Sequence, residues 1–300
     1  MEPTARRLEQ LLVAPGTRAN LAERDPGWGG DYEGLSKTDA RALLAVEVDA
    51  LSEAQELLWA SHTHALLVVL QGMDASGKDS VIEHVLSGVN PQGVRVVSFK
   101  QPSPEELEHD FLWRVSKALP GHGHIGVFNR SHYEEVVVVR VHPEWLAKQG
   151  VPDTAVGPRF WDHRHGDINA FERHLDRSGT KIVKLFLHVS RAKQRQRFLK
   201  RLDNPEKHWK FRAADVAERA RWDEYTTAYE EALSATSTPW APWHVVPADR
   251  KPLTHLFVAT ILVDAIRGLD LRWPEVSAED REANAEARRR LETESSSQNL

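Results

Sequence analysis

The sequence contains no cysteine, which excludes disulfides and thiolate metal sites and leaves nothing to mark an oxidising compartment. It has no run of about eighteen apolar residues, the length that spans a bilayer. The opening MEPTARRLEQ lacks the hydrophobic core of a secretory signal. The expectation is a soluble cytoplasmic protein with no membrane partner. Positive charge is not in excess either, since 39 Lys and Arg stand against 44 Asp and Glu, a net charge of -5 at pH 7. A chain of that sign does not hold nucleic acid over its whole surface, so any anion site must come from local clustering. No internal repeat and no second domain boundary interrupt the 300 residues, enough for one large domain with a full core.

What is present is concentrated first in residues 65–80, ALLVVLQGMDASGKDS. The order is a buried strand, a glycine-bounded loop ending in lysine, and the start of a helix. Gly72 and Gly77 let the backbone turn its N–H groups inward around Ala75 and Ser76, and Lys78 places a cation on outer phosphate oxygens. The following helix adds its positive end, which makes the loop a polyanion cradle. The hydroxyl that usually follows the lysine as a magnesium ligand is displaced: Asp79 stands there, and Ser80 comes one place later. Asp74, inside the loop, would repel phosphate unless a divalent cation lies between them, so it reads as a metal ligand or proton acceptor.

Around this stretch, residues 1–37 read as an irregular arm. Leu43, Leu44, Val46, Leu51, Leu57 and Leu58 predict an amphipathic helix over 38–60. Strands are predicted at 94–99, 125–129, 181–190 and 243–246. The sequence Ser103-Pro104-Glu105-Glu106 is a helix start, and it predicts a helix to about residue 118. Asp110 and Arg114 would then share a face, as a surface ion pair or a substrate-facing pair.

The strand 125–129 ends at Asn129, and the carboxyl end of a strand beside a phosphate loop faces the phosphates. There Asn129 offers a neutral oxygen, Arg130 a forked phosphate contact, and Glu134 the nearest full carboxylate. The run 136–141 has strand propensity but no turn before it, so it reads as a buried helix. Further helices are predicted at 159–177 and 252–269.

Charge is concentrated in one place. Between Arg191 and Arg212 nine Lys or Arg face two acids, an excess of seven in a chain whose total is negative. That marks a binding surface for a long anion. Asn204-Pro205 breaks the segment into a helix, a turn and a second helix over 213–233, the shape of a lid. The charged residues 271–300 read as a fraying tail.

These blocks resemble the polyphosphate kinase 2 family: GMDASGKD, SGVNPQGV, HDFLWR, IGVFNRSHYE, the basic segment with KHWKF, RWDEYTTAYEEAL and APWHVVPADRK occur in that order over about residues 35–270. The resemblance implies an α/β, thymidylate-kinase-like P-loop fold, three layers with a parallel sheet, over 38–270 with the lid at about 191–233. It implies transfer of phosphate between inorganic polyphosphate and AMP or ADP, with ATP among the nucleotides, dependence on magnesium or manganese, and a homo-oligomer. By matching positions, Asp74, Lys78 and Arg130 are implied to be catalytic. Gly72, Ala75, Ser76, Gly77, Asp79, Ser80, Arg197, Arg201, Lys207 and Lys210 are implied to bind phosphate. Asp110, Arg114, Asn129 and Glu134 are implied to face the nucleotide, with Asp74 and Glu134 on the metal. Two rivals stand beside this reading: an ATP-dependent nucleoside monophosphate kinase, and a non-enzymatic P-loop protein that binds nucleic acid.

Overall fold

The computed structural model describes residues 8–297. Its centre is β1 (Ala65–Gln71), buried along its whole length. A strand covered on both faces needs no alternation of apolar and polar residues, which is why its sequence is a continuous apolar run. With β2 (Val94–Ser98), β3 (Ile125–Asn129), β4 (Thr180–His188) and β5 (Trp243–Pro247) it forms a five-stranded sheet in the order β2-β3-β1-β4-β5. Every pairing is parallel, and the register runs from Leu66 opposite Ile125 to Leu70 opposite Asn129 on one side of β1. All carboxyl ends therefore lie on one edge. The chain crosses from one side of β1 to the other, so that edge has a crevice above β1, where α/β folds place ligands.

Alternate residues of β1 enter two cores. Leu66, Val68 and Leu70 pack with α1 (Lys37–Ser61), with α2 (Lys78–Val85), and with a late helix that is buried on nearly all sides. Leu67 and Val69 pack on the opposite face. The buried stripe of α1 is Leu44, Val48, Leu51 and Leu58; Leu43 and Val46 of the expected stripe point outward, 41% and 65% exposed.

The helix expected from 103 to 118 is two short ones, α3 (Pro104–Leu107) and α4 (Trp113–Ser116). Ser103 and Glu106 form the predicted reciprocal cap, but Asp110 then accepts a bond from the Leu112 amide at 2.9 Å. A short acid that bonds the local backbone competes with the helix, and Asp110 stands in the break between α3, which stops at Leu107, and α4. The run 136–141 is helical as expected, within α5 (Glu134–Val141), followed by α6 (Phe160–Arg177).

The basic segment gives α7 (Arg191–Leu202), a short 3-10 helix Pro205–Lys210, and then α8 (Ala214–Ala220) and α9 (Trp222–Thr236) rather than one long helix. Of these, α9 belongs to the body: Ala228, Tyr229, Ala232 and Leu233 are buried in the second core with α5 and α6. The mostly exposed part of the segment expected as a lid thus ends near residue 220. The late helix is α10 (Lys251–Arg267), and the tail expected to fray forms α11 (Ala278–Ser297), which carries pairs such as Arg288 with Glu292.

The first segment is irregular yet fastened. Leu11, Val13 and Leu21 are buried, the Val13 amide donates to Trp243 O (2.9 Å), and the Val245 amide donates to Leu11 O (2.7 Å). No helix among the described residues is long and apolar enough to cross a membrane.

Candidate active site

Between β1 and α2 the loop turns through Gly72 and Gly77, at φ 146° and 116°. A side chain at Gly72 would lie 2.8 Å from Leu187 O, so both backbone and space require glycine there. Ala75 also takes positive φ, 58°. The Ser76 hydroxyl is buried with no hydrogen-bond partner. Lys78 folds back on its loop, and Nζ donates to Gly72 O at 2.7 Å and Met73 O at 3.3 Å. Burial, reinforced by the neighbouring Arg130 charge, pushes its ammonium down to about 8.

The loop forms the floor of a cleft of about 1860 Å³, walled by the ends of β2 and β3 and by the basic segment. Arg130 sits on that floor with positive φ, 64°. One nitrogen donates to Asp74 Oδ1 at 2.7 Å and the other to Glu134 Oε2 at 3.0 Å. Burial pushes the Asp74 carboxyl up, but Arg130 and Lys78 outweigh it and hold Asp74 below its ordinary value. Glu134, mainly, strengthens the hold of Arg130 on its proton. The second oxygen of Glu134 is buried and partnerless. Asn129 donates to Asp79 Oδ1 at 2.8 Å, tying the end of β3 to the first turn of α2.

The lid meets the loop through its first helix. Gln194 donates to Asp74 O at 2.9 Å, and Arg197 donates to Ala75 O (2.8 Å), Ser76 O (2.7 Å) and Ala248 O. Arg197 lines the cleft, yet its guanidinium is engaged by backbone carbonyls, so it braces the loop. Arg201, Lys207 and Lys210 also line the cleft, and the last two are exposed. Lys193, Lys200 and Lys251 join them on the wall. Lys251 lies outside the charge run that drew attention to the lid.

Three expected residues are engaged differently from expectation, although Arg114 and Ser80 still line the cleft. Asp110 lines a separate cavity of about 270 Å³ beside Phe111 and Phe160. Arg114 does not pair with it; it is buried and donates to Lys100 O (2.8 Å) and Glu135 Oε1 (3.2 Å). The pairing of Asp110 with Arg114 presupposed one continuous helix. Ser80 is turned to α10, with its hydroxyl 3.1 Å from His255 Nε2; burial and nearby cations push His255 down to about 4. Glu135, which the sequence reading passes over, is a buried hub that also takes bonds from Gln149 and lies 3.6 Å from Arg164. Its neighbour Glu134 drew attention by position, whereas Arg164 has no local signal because its partner lies on a different helix.

For a metal, the carboxylates that flank Arg130 are those of Asp74 and Glu134. Among the described residues no group of three or more His, Cys, Asp or Glu is placed to hold an ion. One or two carboxylates with a partnerless buried oxygen suit a hard cation that completes its shell with water and phosphate oxygens, as magnesium does.

Residues 34–272 match the family model described as Polyphosphate kinase 2 (PPK2). The chain is 48% identical over 284 residues to the ADP-polyphosphate phosphotransferase of Rhodopseudomonas palustris, covering 94% of this chain and 98% of that protein. It is 46% identical over 268 residues to the AMP/ADP-polyphosphate phosphotransferase of Meiothermus ruber, covering 89% and 96%. The crystal structure of Polyphosphate Kinase 2 from Arthrobacter aurescens TC1 superposes with a TM-score of 0.84 at 41% identity, covering 95% of this chain and 97% of that one.

Proposed function

The chain belongs to the polyphosphate kinase 2 family, and from that premise we propose that it transfers a phosphoryl group between inorganic polyphosphate and AMP or ADP. The observation that carries this reading is the arrangement of Asp74, Arg130 and Glu134 beside Lys78, on the floor of a large cleft whose wall is a cationic lid. The cleft fits a long anion above a site for its end unit. A nucleoside monophosphate kinase that uses ATP, and a non-enzymatic nucleic-acid binder, are not favoured, because the relatives are named for polyphosphate phosphotransfer.

In the reaction, a terminal phosphate oxygen of the nucleotide attacks the end phosphorus of polyphosphate. A new P–O bond forms, the bond from that phosphorus to its bridging oxygen breaks, and the shortened chain leaves with the electron pair. Such transfer passes through a loose transition state, so the protein acts by alignment and charge neutralisation. Lys78 and the loop amides hold the oxygens around the transferred phosphorus. Arg130 has two N–H groups engaged by carboxylates, which fix its plane, and keeps others for phosphate. The attacking phosphate loses its second proton near pH ~6 and needs no strong base, which leaves Asp74 for the metal. Magnesium, or manganese in its place, would be held by Asp74 and Glu134 and would supply positive charge across the phosphate oxygens. Asn129 orients Asp79 at the start of α2 and presents its own amide to the nucleotide side.

Incubation with polyphosphate, magnesium and each of AMP, ADP, GMP and GDP, with products separated, tests the reading. ADP from AMP or ATP from ADP supports it; indifference to the polymer with ready use of ATP as donor overturns it. Assembly as a homo-oligomer in the cytoplasm belongs to the same proposal and is read by sedimentation of the purified protein.

A further inference from the structure

Under the floor of the cleft lies a buried polar chain that the reaction does not explain. The Tyr229 hydroxyl donates to Gln71 Oε1 at 3.2 Å, and Gln71 Nε2 donates to Ser131 Oγ at 3.1 Å. The same Ser131 oxygen accepts the Tyr133 amide at 3.2 Å. Gln71, Ser131 and Tyr229 are 1%, 0% and 4% exposed. Burying polar groups costs desolvation that an apolar trio of the same size would avoid. Their value must lie in where they hold their neighbours.

Those neighbours are the two catalytic turns. Gln71 immediately precedes Gly72, whose carbonyl anchors Lys78. Ser131 immediately follows Arg130, a non-glycine residue in the left-handed region, which is strained unless its surroundings fix it. The Arg130 amide is already tied to Leu70 O at 3.1 Å, so Gln71 and Ser131 bind the same two strand ends a second time, through side chains. Tyr229 brings in α9, whose chain leads directly out of lid helix α8 with only Arg221 between them.

We propose that Tyr229, Gln71 and Ser131 form a positioning relay that holds Arg130 in its bridging place between Asp74 and Glu134 and joins that place to the helix at the root of the lid. None of the three is a catalytic residue; they act through Arg130. The inference rests on the role given to Arg130 above.

The test is a double-mutant cycle on turnover of ADP with polyphosphate, using Tyr229→Phe and Gln71→Met, each alone and with Arg130→Ala. A buried hydrogen bond of ordinary strength corresponds to a loss of about threefold to tenfold in kcat, with KM for polyphosphate changed by less than about twofold. With Arg130 removed, the same substitutions should cost less than about twofold. A full loss that persists in the Arg130→Ala background overturns the relay while leaving the proposed reaction intact. Turnover by Arg130→Ala equal to the unsubstituted enzyme removes the role of Arg130 and the relay together. Ser131→Ala deletes a single oxygen and closes the same cycle should Tyr229→Phe fail to fold, with thermal unfolding as the check.

Discussion

Arg130 and Asp74 meet at 2.7 Å, a contact that joins the end of β3 to the phosphate loop across 56 positions of sequence. Arg130 makes this contact from a left-handed backbone, φ 64°. The consequence for Asp74 is a carboxylate held ionised by Arg130 and Lys78 against the opposing effect of burial. Asp74→Asn keeps the shape and removes the charge. Turnover should fall by about 100-fold or more, the scale seen when one preorganised electrostatic group is lost. Near-normal turnover of AMP or ADP with polyphosphate in this variant would remove the role assigned to Asp74.

Lys78 gives a pH effect of known sign. Burial brings its ammonium to about 8 in the free cleft, and a bound polyanion favours the charged form. Binding of polyphosphate near pH 8 should therefore take up protons, and affinity should fall as pH rises through that region. Calorimetry in two buffers of different ionisation enthalpy reads the uptake directly. An identical apparent enthalpy in both buffers at pH 8 would contradict it.

The lid lysines should behave as a distributed charge rather than as catalysts. Lys207→Ala and Lys210→Ala are expected to raise KM for long polyphosphate several-fold, with little change in kcat and a shallower loss of affinity with added salt. Arg197→Ala should differ in kind, because its bonds go to Ala75 O and Ser76 O: kcat should fall with it. Equal effects on KM alone from all three would show that Arg197 is one more phosphate contact.

Stability has its own test on the far side of the sheet. Lys184 is fully buried and donates to Glu172 (2.6 Å), Tyr133 (2.9 Å) and Thr236 O (2.6 Å). Replacing one member strands the other without a partner, so Lys184→Met should cost about 3–5 kcal/mol in urea unfolding. Adding Glu172→Leu should recover much of the loss. A double variant no more stable than the single one would show that packing, not charge, is what the site needs.

The parts of the molecule that are legible in sequence are those whose causes are local. A strand covered on both faces reads as an unbroken apolar run, and Gly72, Gly77 and Lys78 declare their loop by spacing alone. Arg130 is found because a strand beside that loop must end over it. Arg114 is mispaired for the opposite reason: its partner Glu135 lies on α5, and the helix that would have given it Asp110 stops at Leu107. Arg197 looks like a phosphate ligand by charge, and only the approach of α7 to the loop shows its donors engaged. The body helix α9 could have been separated from the lid, since Ala228, Tyr229, Ala232 and Leu233 fall at spacings that bury one stripe.

The irregular first segment bears on how the molecule is made. Leu11 and Val13 exchange backbone bonds with β5, and Val13 O accepts from Ser237 across 224 positions. The fifth strand and its flank are thus completed by residues as far as 224 positions apart. A ribosome must deliver the chain through Val245 before this seam can close, and contacts of such long sequence separation form slowly.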